Sequence, residues 1–164
     1  MKHLLLLIYA GCCTVACQAQ TKTMEIADWD FLQWKMSETE VEKALMEQKI
    51  DYTPLRPNSK SLSTKAKNFR GFERLSFDYD LGLYHIQLYK TSTDKQEAEE
   101  FVAAQIKKFN TLCGDAATED NSTRKLRTST WIKDKTAITL NFFYDSSDYK
   151  GNPQFEIQLF YAQP

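Results

Sequence analysis

Thr93-Asp94-Lys95-Gln96-Glu97-Ala98-Glu99-Glu100-Phe101-Val102-Ala103-Ala104-Gln105-Ile106-Lys107-Lys108-Phe109-Asn110-Thr111-Leu112-Cys113-Gly114 is the stretch whose reading decides the fold. Thr93 suits an N-cap, and Gln96 stands where the reciprocal partner of a capping box belongs. Asp94 and Glu97 place negative charge in the first turn, where the helix dipole favours it. Ala98, Phe101, Val102, Ile106, Phe109, Leu112 and Cys113 recur at spacings of three and four, which draws one apolar stripe. Gly114 is the expected left-handed residue past the helix end. A helix with one apolar stripe must bury it, and strand-like segments on both sides of it in sequence supply the surface.

Working outward, the N-terminus reads as a leader. Met1-Lys2-His3 precedes an apolar run from Leu4 to Ile8 that continues with little polarity to Ala16, the pattern of a secretory signal over residues 1–19. The run is too short and too soon polar for a stable membrane span. Two processing routes fit. Cys17 and Ala19 are the small residues needed for cleavage before Gln20; alternatively Thr14-Val15-Ala16-Cys17 or Tyr9-Ala10-Gly11-Cys12 forms a lipobox, with Cys17 or Cys12 acylated. Loss of the leader removes only Lys2 and leaves 20 basic against 22 acidic residues. A mature chain this close to neutral lacks the basic face that nucleic acid demands. Cys113 is then the one remaining cysteine, so no internal disulfide is expected. Its place on the apolar stripe near a helix C-terminus disfavours a thiolate and points to a structural thiol.

Residues 20–36 read as an N-terminal arm holding the aromatic run Trp29-Asp30-Phe31-Leu32-Gln33-Trp34, and 37–164 as a single α+β domain. Ser37-Glu38-Thr39-Glu40 is a second capping box, with Met36 and Val41 as a hydrophobic staple. The first helix is expected over about 38–49, with Val41, Ala44, Leu45 and Met46 facing inward. Pro54, Pro57, Asn58 and Ser59 predict a loop, and 60–69 an edge strand. Leu75, Phe77 and Tyr79 alternate with Arg74, Ser76 and Asp78; Tyr84, Ile86 and Leu88 alternate with His85, Gln87 and Tyr89. Between them Asp80-Leu81-Gly82 predicts a turn. Beyond the central helix, 115–125 reads as a polar loop, 128–133 and 136–144 as a hairpin around Asp134-Lys135, 145–153 as a second loop, and Phe155, Ile157, Leu159 and Tyr161 as the last strand. Helix, strands, helix, strands implies two helices on one face of a curved antiparallel sheet. The echo of His85-Ile86-Gln87-Leu88-Tyr89 in Glu156-Ile157-Gln158-Leu159-Phe160 hints at a tandem duplication of a helix-plus-β-meander unit.

Several of these segments resemble a group of small bacterial envelope domains. Trp34-Lys35-Met36-Ser37-Glu38-Thr39-Glu40-Val41 is similar to their opening, and Phe77-Asp78-Tyr79-Asp80-Leu81-Gly82-Leu83-Tyr84 to their central hairpin. Leu112-Cys113-Gly114-Asp115 resembles their helix end, and Trp131-Ile132-Lys133-Asp134-Lys135 with Ile138-Thr139-Leu140 their penultimate hairpin. The relatives are the outer-membrane assembly lipoproteins of the SmpA/OmlA type and the β-lactamase-inhibitor-protein-like domains. The chain departs from them at Lys35, where they commonly carry glycine, and in its imperfect lipobox. The resemblance implies action by protein binding or scaffolding and transfers no partner-contact residue.

Catalytic chemistry finds little purchase in the sequence. Past the leader, His85 is the one histidine, on the polar side of a strand. One His and one Cys without local spacing do not make a zinc site, and the five glycines are scattered singly rather than forming a phosphate loop. Asp145, Asp148 and Asn152 lack the spacing of a calcium loop and read as a polar loop. No cofactor or metal is implied, and no pair of acids stands out as hydrolytic. Asn121-Ser122-Thr123 matches a glycosylation sequon by chance in so bacterial a chain.

The expected outer side of the sheet is richer. His85, Gln87, Tyr89, Thr139, Asn141, Phe143, Glu156, Gln158 and Phe160 alternate away from the helices, with Trp131 assignable to either side. Aromatics among amides and hydroxyls suit contact with a protein or a glycan, although single exposed aromatics are ordinary on sheets. The resulting expectation is an exported, non-enzymatic envelope protein, periplasmic or secreted or else an outer-membrane lipoprotein. It would act on an unknown envelope protein through the binding face His85, Gln87, Tyr89, Asn141, Phe143, Gln158 and Phe160. A ligand-binding module for a glycan or small molecule is the first alternative, and a hydrolase of unrecognised type the second.

Overall fold

The structure, a computed structural model, describes residues 31–54, 60–64 and 69–163. The leader, both candidate lipidation cysteines and Trp29 lie outside these residues. The described elements are α1 (Glu38–Glu47), β1 (Tyr52–Pro54), β2 (Ser61–Thr64), β3 (Arg74–Asp78), β4 (His85–Ser92), α2 (Lys95–Cys113), β5 (Ala117–Asn121), β6 (Leu126–Lys133), β7 (Thr136–Ser147) and β8 (Pro153–Ala162). The eight strands form one antiparallel sheet in the order β1-β2-β3-β4-β8-β7-β6-β5. Each helix is followed by a four-stranded meander, and the two meanders join where their last strands, β4 and β8, pair. This is the expected α+β architecture.

The helices begin where side chains replace missing backbone partners. Ser37 accepts from the Glu40 amide, and the Glu40 carboxylate accepts from the Ser37 amide at 2.8 Å, the full capping box expected. Val41, Ala44 and Leu45 are buried, but Met46 is 59% exposed and the helix stops at Glu47. The cap of α2 lies one residue later than expected. Asp94, not Thr93, accepts from the Glu97 amide at 3.1 Å. The shift follows from a network around the junction: the Ser92 hydroxyl donates to Glu97 Oε2 at 2.7 Å and accepts from the Asp94 amide, while Lys90 Nζ lies 3.1 Å from Glu97 Oε1. A carboxylate cap with charged support displaces a hydroxyl one. At the far end Gly114 has φ +87°, and Lys133 Nζ donates to the Leu112 carbonyl at 2.8 Å, bringing positive charge to the helix C-terminus from a neighbouring strand.

The core lies between the helices and one face of the sheet. Across adjacent strands Leu62, Phe77, Ile86, Tyr161, Ile138 and Trp131 form one buried row, and Leu75, Leu88, Leu159 and Leu140 the next. Trp131 therefore belongs to the helix side, 3% exposed, with its ring 5.2 Å from Phe109 and its Nε1 donating to Asn110 Oδ1 at 2.8 Å. Tyr84, expected inward, is 40% exposed because β4 begins only at His85.

Three loop and edge expectations change. Tyr52–Pro54 is the edge strand rather than part of a loop, and β2 is interior, between β1 and β3. The stretch 115–125 contains β5, a strand of almost wholly exposed residues. Its sequence has no strand pattern; pairing with β6 imposes the conformation. Both edges are short, one ending in proline and one acidic, which discourages pairing with a second chain.

The chain enters and leaves the body at one end of the sheet, here called proximal. Leu32 is fully buried, Trp34 Nε1 donates to Thr136 Oγ1 at 3.0 Å, and the Lys35 amide donates to the Leu83 carbonyl at 2.8 Å. The Gln163 amide donates to Tyr84 O at 3.0 Å. Gly82, at φ +88°, lets the β3–β4 turn approach this segment: a Cβ there would lie 2.5 Å from the Lys35 carbonyl oxygen. The β6–β7 turn, with positive φ at both Asp134 and Lys135, closes the same end as a two-residue hairpin.

Candidate functional site

The sheet face away from the helices carries all seven residues of the expected binding face. Their register follows from the strand pairing. Gln87 sits between Ser76 and Phe160, and Phe160 beside Thr139. In the next row Arg74, Tyr89, Gln158, Asn141 and Thr128 run across five strands. Beyond that, Thr91, Glu156, Phe143 and Leu126 are neighbours. His85 pairs with Asp78 on one side and Ala162 on the other. All seven residues of the expected face are part-exposed. They are accessible yet laterally packed.

The side chains hold one another in place. The Arg74 guanidinium lies 4.6 Å from the centre of the Tyr89 ring, so one face of this aromatic is already engaged. The Gln158 amide donates to Glu156, and Thr128 Oγ1 donates to Asn141 Oδ1 at 2.9 Å. Burial and then the Glu156 carboxylate push the Tyr89 hydroxyl above its ordinary pKa, despite the opposing pull of Arg74. The His85 and Phe160 rings lie 5.5 Å apart. Burial pushes the His85 pKa down, with Asp78 acting against it, which favours the neutral imidazole.

Neither a family model, nor a curated protein, nor a solved structure matches the chain.

Other candidate chemistry resolves into structure. Asp148 Oδ1 accepts from the amides of Lys150 at 2.8 Å and Asn152 at 2.9 Å, and its Oδ2 accepts from the Asn152 side chain at 2.8 Å. These bonds hold the carboxyl below its usual range and brace the β7–β8 loop. Burial pushes the Cys113 thiol up, with Lys133 pulling the other way, and no disulfide links it among the described residues. Among the described residues no group of three or more His, Cys, Asp or Glu side chains is placed to hold a metal ion. A shallow cleft between α2 and the sheet is lined by Glu99, Val102, Ala103, Ile106, Arg127 and Phe142. Phe142 forms its floor at 2% exposure.

The sequence did not assign Arg74, Asp78 and Thr128 to the face. Their alternation was legible for β3, but which strand lies beside which is a property of the sheet order. That order places β3 against β4 and β6 against β7.

Proposed function

We propose that the chain is a non-enzymatic interaction domain whose working surface is the outer sheet face. The observation that carries this is the continuous row Arg74–Tyr89–Gln158–Asn141–Thr128, with Phe160 and Phe143 on either side of it. One sheet face is consumed by the helices, whereas this one stays accessible. Its polar groups are pre-bonded and its rings braced, so little side-chain entropy is lost when a partner covers it. Part-buried aromatics set among amides are the composition of interface centres rather than of solvated surface. The partner in this reading is an envelope protein, met after export. The leader sequence and the resemblance to SmpA/OmlA-type and β-lactamase-inhibitor-protein-like domains support that compartment, with lipidation at Cys17 or Cys12 as its anchored form.

Tandem duplication of an α-then-β-meander unit belongs to the same proposal. Leu75-Ser76-Phe77-Asp78 of β3 with the following Tyr79 matches Leu140-Asn141-Phe142-Phe143-Tyr144 of β7 at alternate positions. The β4–β8 echo pairs Leu88 with Leu159, and so places Gln87 beside Phe160 and Tyr89 beside Gln158, as an approximate two-fold axis through the leucine pair requires. The outer face would then be a two-fold platform made at the junction of the copies.

A ligand-binding module is the second reading, favoured by Phe160 lying between Gln87 and Thr139, an aromatic flanked by an amide and a hydroxyl. The test is capture after crosslinking in intact cells, wild type against the triple variant Tyr89→Ala, Phe143→Ala and Phe160→Ala. One dominant protein held by the wild type and lost by the variant is the expected result. Undiminished capture by the variant would sink the sheet-face reading, and recovery of polysaccharide alone would shift it to the ligand-binding module. Thermal unfolding of both proteins separates lost binding from lost fold.

A further inference from the structure

Five large apolar side chains stand exposed among the described residues: Met46, Leu81, Tyr84, Ile132 and Tyr149. Three of the five, Leu81 at 90%, Ile132 at 72% and Tyr84 at 40%, lie at the proximal end, where residues 31–36 join the body. We propose that this end is a bilayer-docking surface that seats Leu81, Tyr84 and Ile132 in the interfacial zone of a phospholipid membrane.

Each of the three is presented by rigid local structure. Leu81 caps the β3–β4 turn, which is fixed by the Asp80–Gly82 bridge, the close approach of Gly82 to the Lys35 backbone and the ion pair of Lys60 with Asp80. Ile132 points to the outer side of β6, beside Ala137 and then Ala162, two small residues that leave it unscreened. Tyr84 precedes β4 and its carbonyl is tied to the Gln163 amide. A leucine held out on a braced turn gains nothing from water and loses no mobility on burial.

The arrangement favours a bilayer over a protein pocket. Leu81 on its turn and Ile132 near the end of β6 are separated by three to four strand spacings, roughly 15–20 Å. That is too dispersed for one pocket but suited to a planar interface. Tyrosine is an interfacial residue. Lysines 35, 60, 133 and 135 share this end with Asp78, Asp80, Asp134 and Glu38, Lys60 being paired with Asp80 and Lys133 with the Leu112 carbonyl. Lys35 and Lys135 are exposed there, suitably placed for lipid phosphates. The N-terminal arm leads into the body at this end, so an acyl chain on Cys17 or Cys12, the anchored form of the leader reading, would draw this end to the surface. The strands would then stand along the membrane normal, and the outer face would look sideways, open to a partner. The inference is independent of what that face binds: one is read from a membrane footprint, the other from partner capture.

The test is amide hydrogen exchange on the full chain, with and without vesicles of phosphatidylcholine containing phosphatidylglycerol. Vesicles are expected to slow exchange in 79–84 and 131–136 by roughly threefold or more, while the centre of the sheet face and the β7–β8 loop stay unchanged. The double variant Leu81→Asp/Ile132→Asp should lose this footprint even where an N-terminal acyl chain still carries it to the vesicles. Both positions are exposed, so folding should survive; Leu81→Ser/Ile132→Ser repeats the test if circular dichroism shows otherwise. Absence of protection in the two turns, protection centred elsewhere, or an unchanged footprint in the double variants would overturn the proposal.

Discussion

At the scale of single residues, two positions show how backbone and burial set the cost of a change. Gly82 and Gly114 share a positive φ, +88° and +87°. A Cβ at Gly82 meets the Lys35 backbone, whereas one at Gly114 finds nothing within 4 Å. Both alanine variants bear a conformational cost of about 1–3 kcal/mol. Gly82→Ala should lose more, because the contacted atoms are backbone and the N-terminal segment must move away. Equal losses in denaturant unfolding would show that the segment does not hold the turn. Tyr79 gives a pH prediction. It is 6% exposed beside Glu38 and Glu42, and among the described residues its hydroxyl has only the Glu38 carboxylate within loose hydrogen-bonding reach. Burial, reinforced by the two carboxylates, pushes it up to about 12 from its ordinary 10.0. The folded state therefore holds this proton more tightly than the unfolded chain. Its stabilising contribution is whole below pH 10 and declines as pH rises towards 12. Tyr79→Phe should flatten that part of the stability–pH curve in urea titrations. An unchanged slope would mean that the hydroxyl is solvated.

At the scale of elements, the capping residues separate sequence pattern from realised bond. Ser37→Ala and Asp94→Ala should each cost about 1 kcal/mol, the usual loss for an N-cap. Thr93→Ala should cost well under half of that, since Thr93 is exposed and Asp94 makes the cap bond. Reversal of this order in equilibrium unfolding would return the cap to Thr93. The sequence pattern puts the cap on Thr93 with Gln96 and leaves Asp94 as first-turn charge; Lys90 and Ser92, at the end of β4, hold Glu97 so that its amide meets Asp94 instead. In the β7–β8 loop, Asp148→Ala removes three hydrogen bonds from an exposed turn. Global stability should barely change, because the carboxylate is solvated. The Lys150 and Asn152 amides should exchange faster. Unchanged exchange would indicate that Gly151 alone sets the turn.

At the scale of the whole molecule, the β4–β8 seam decides whether two meanders behave as one body. Leu88 and Leu159 face each other there, at 2% and 1% exposure, and one hydrophobic core spans both halves. Unfolding should be a single transition, with tryptophan fluorescence and far-ultraviolet circular dichroism coinciding. Leu159→Ala should cost about 2–5 kcal/mol without splitting it. Two separated transitions would show that each helix-plus-meander unit is stable alone. The outer-face triple variant should leave this transition nearly in place, since all three side chains are part-exposed.

Local pattern along the chain specifies both helices, the Ser37 cap, the alternation of β3, β4, β7 and β8, the Asp134-Lys135 hairpin, and which residues of those strands turn away from the core. Periodicity and side-chain donors near the backbone act over a few residues, so they are legible in order along the chain. Tertiary structure decided the rest. β5 is a strand because β6 offers it hydrogen bonds, β2 is interior because β1 pairs outside it, and Trp131 faces α2 because the register of β6 against Ile138 sends it there. Arg74 joined the outer face, and Leu81 and Ile132 came to share one end, through the order of the sheet. Strand order and register are set by contacts between residues far apart in sequence, and no local pattern encodes them.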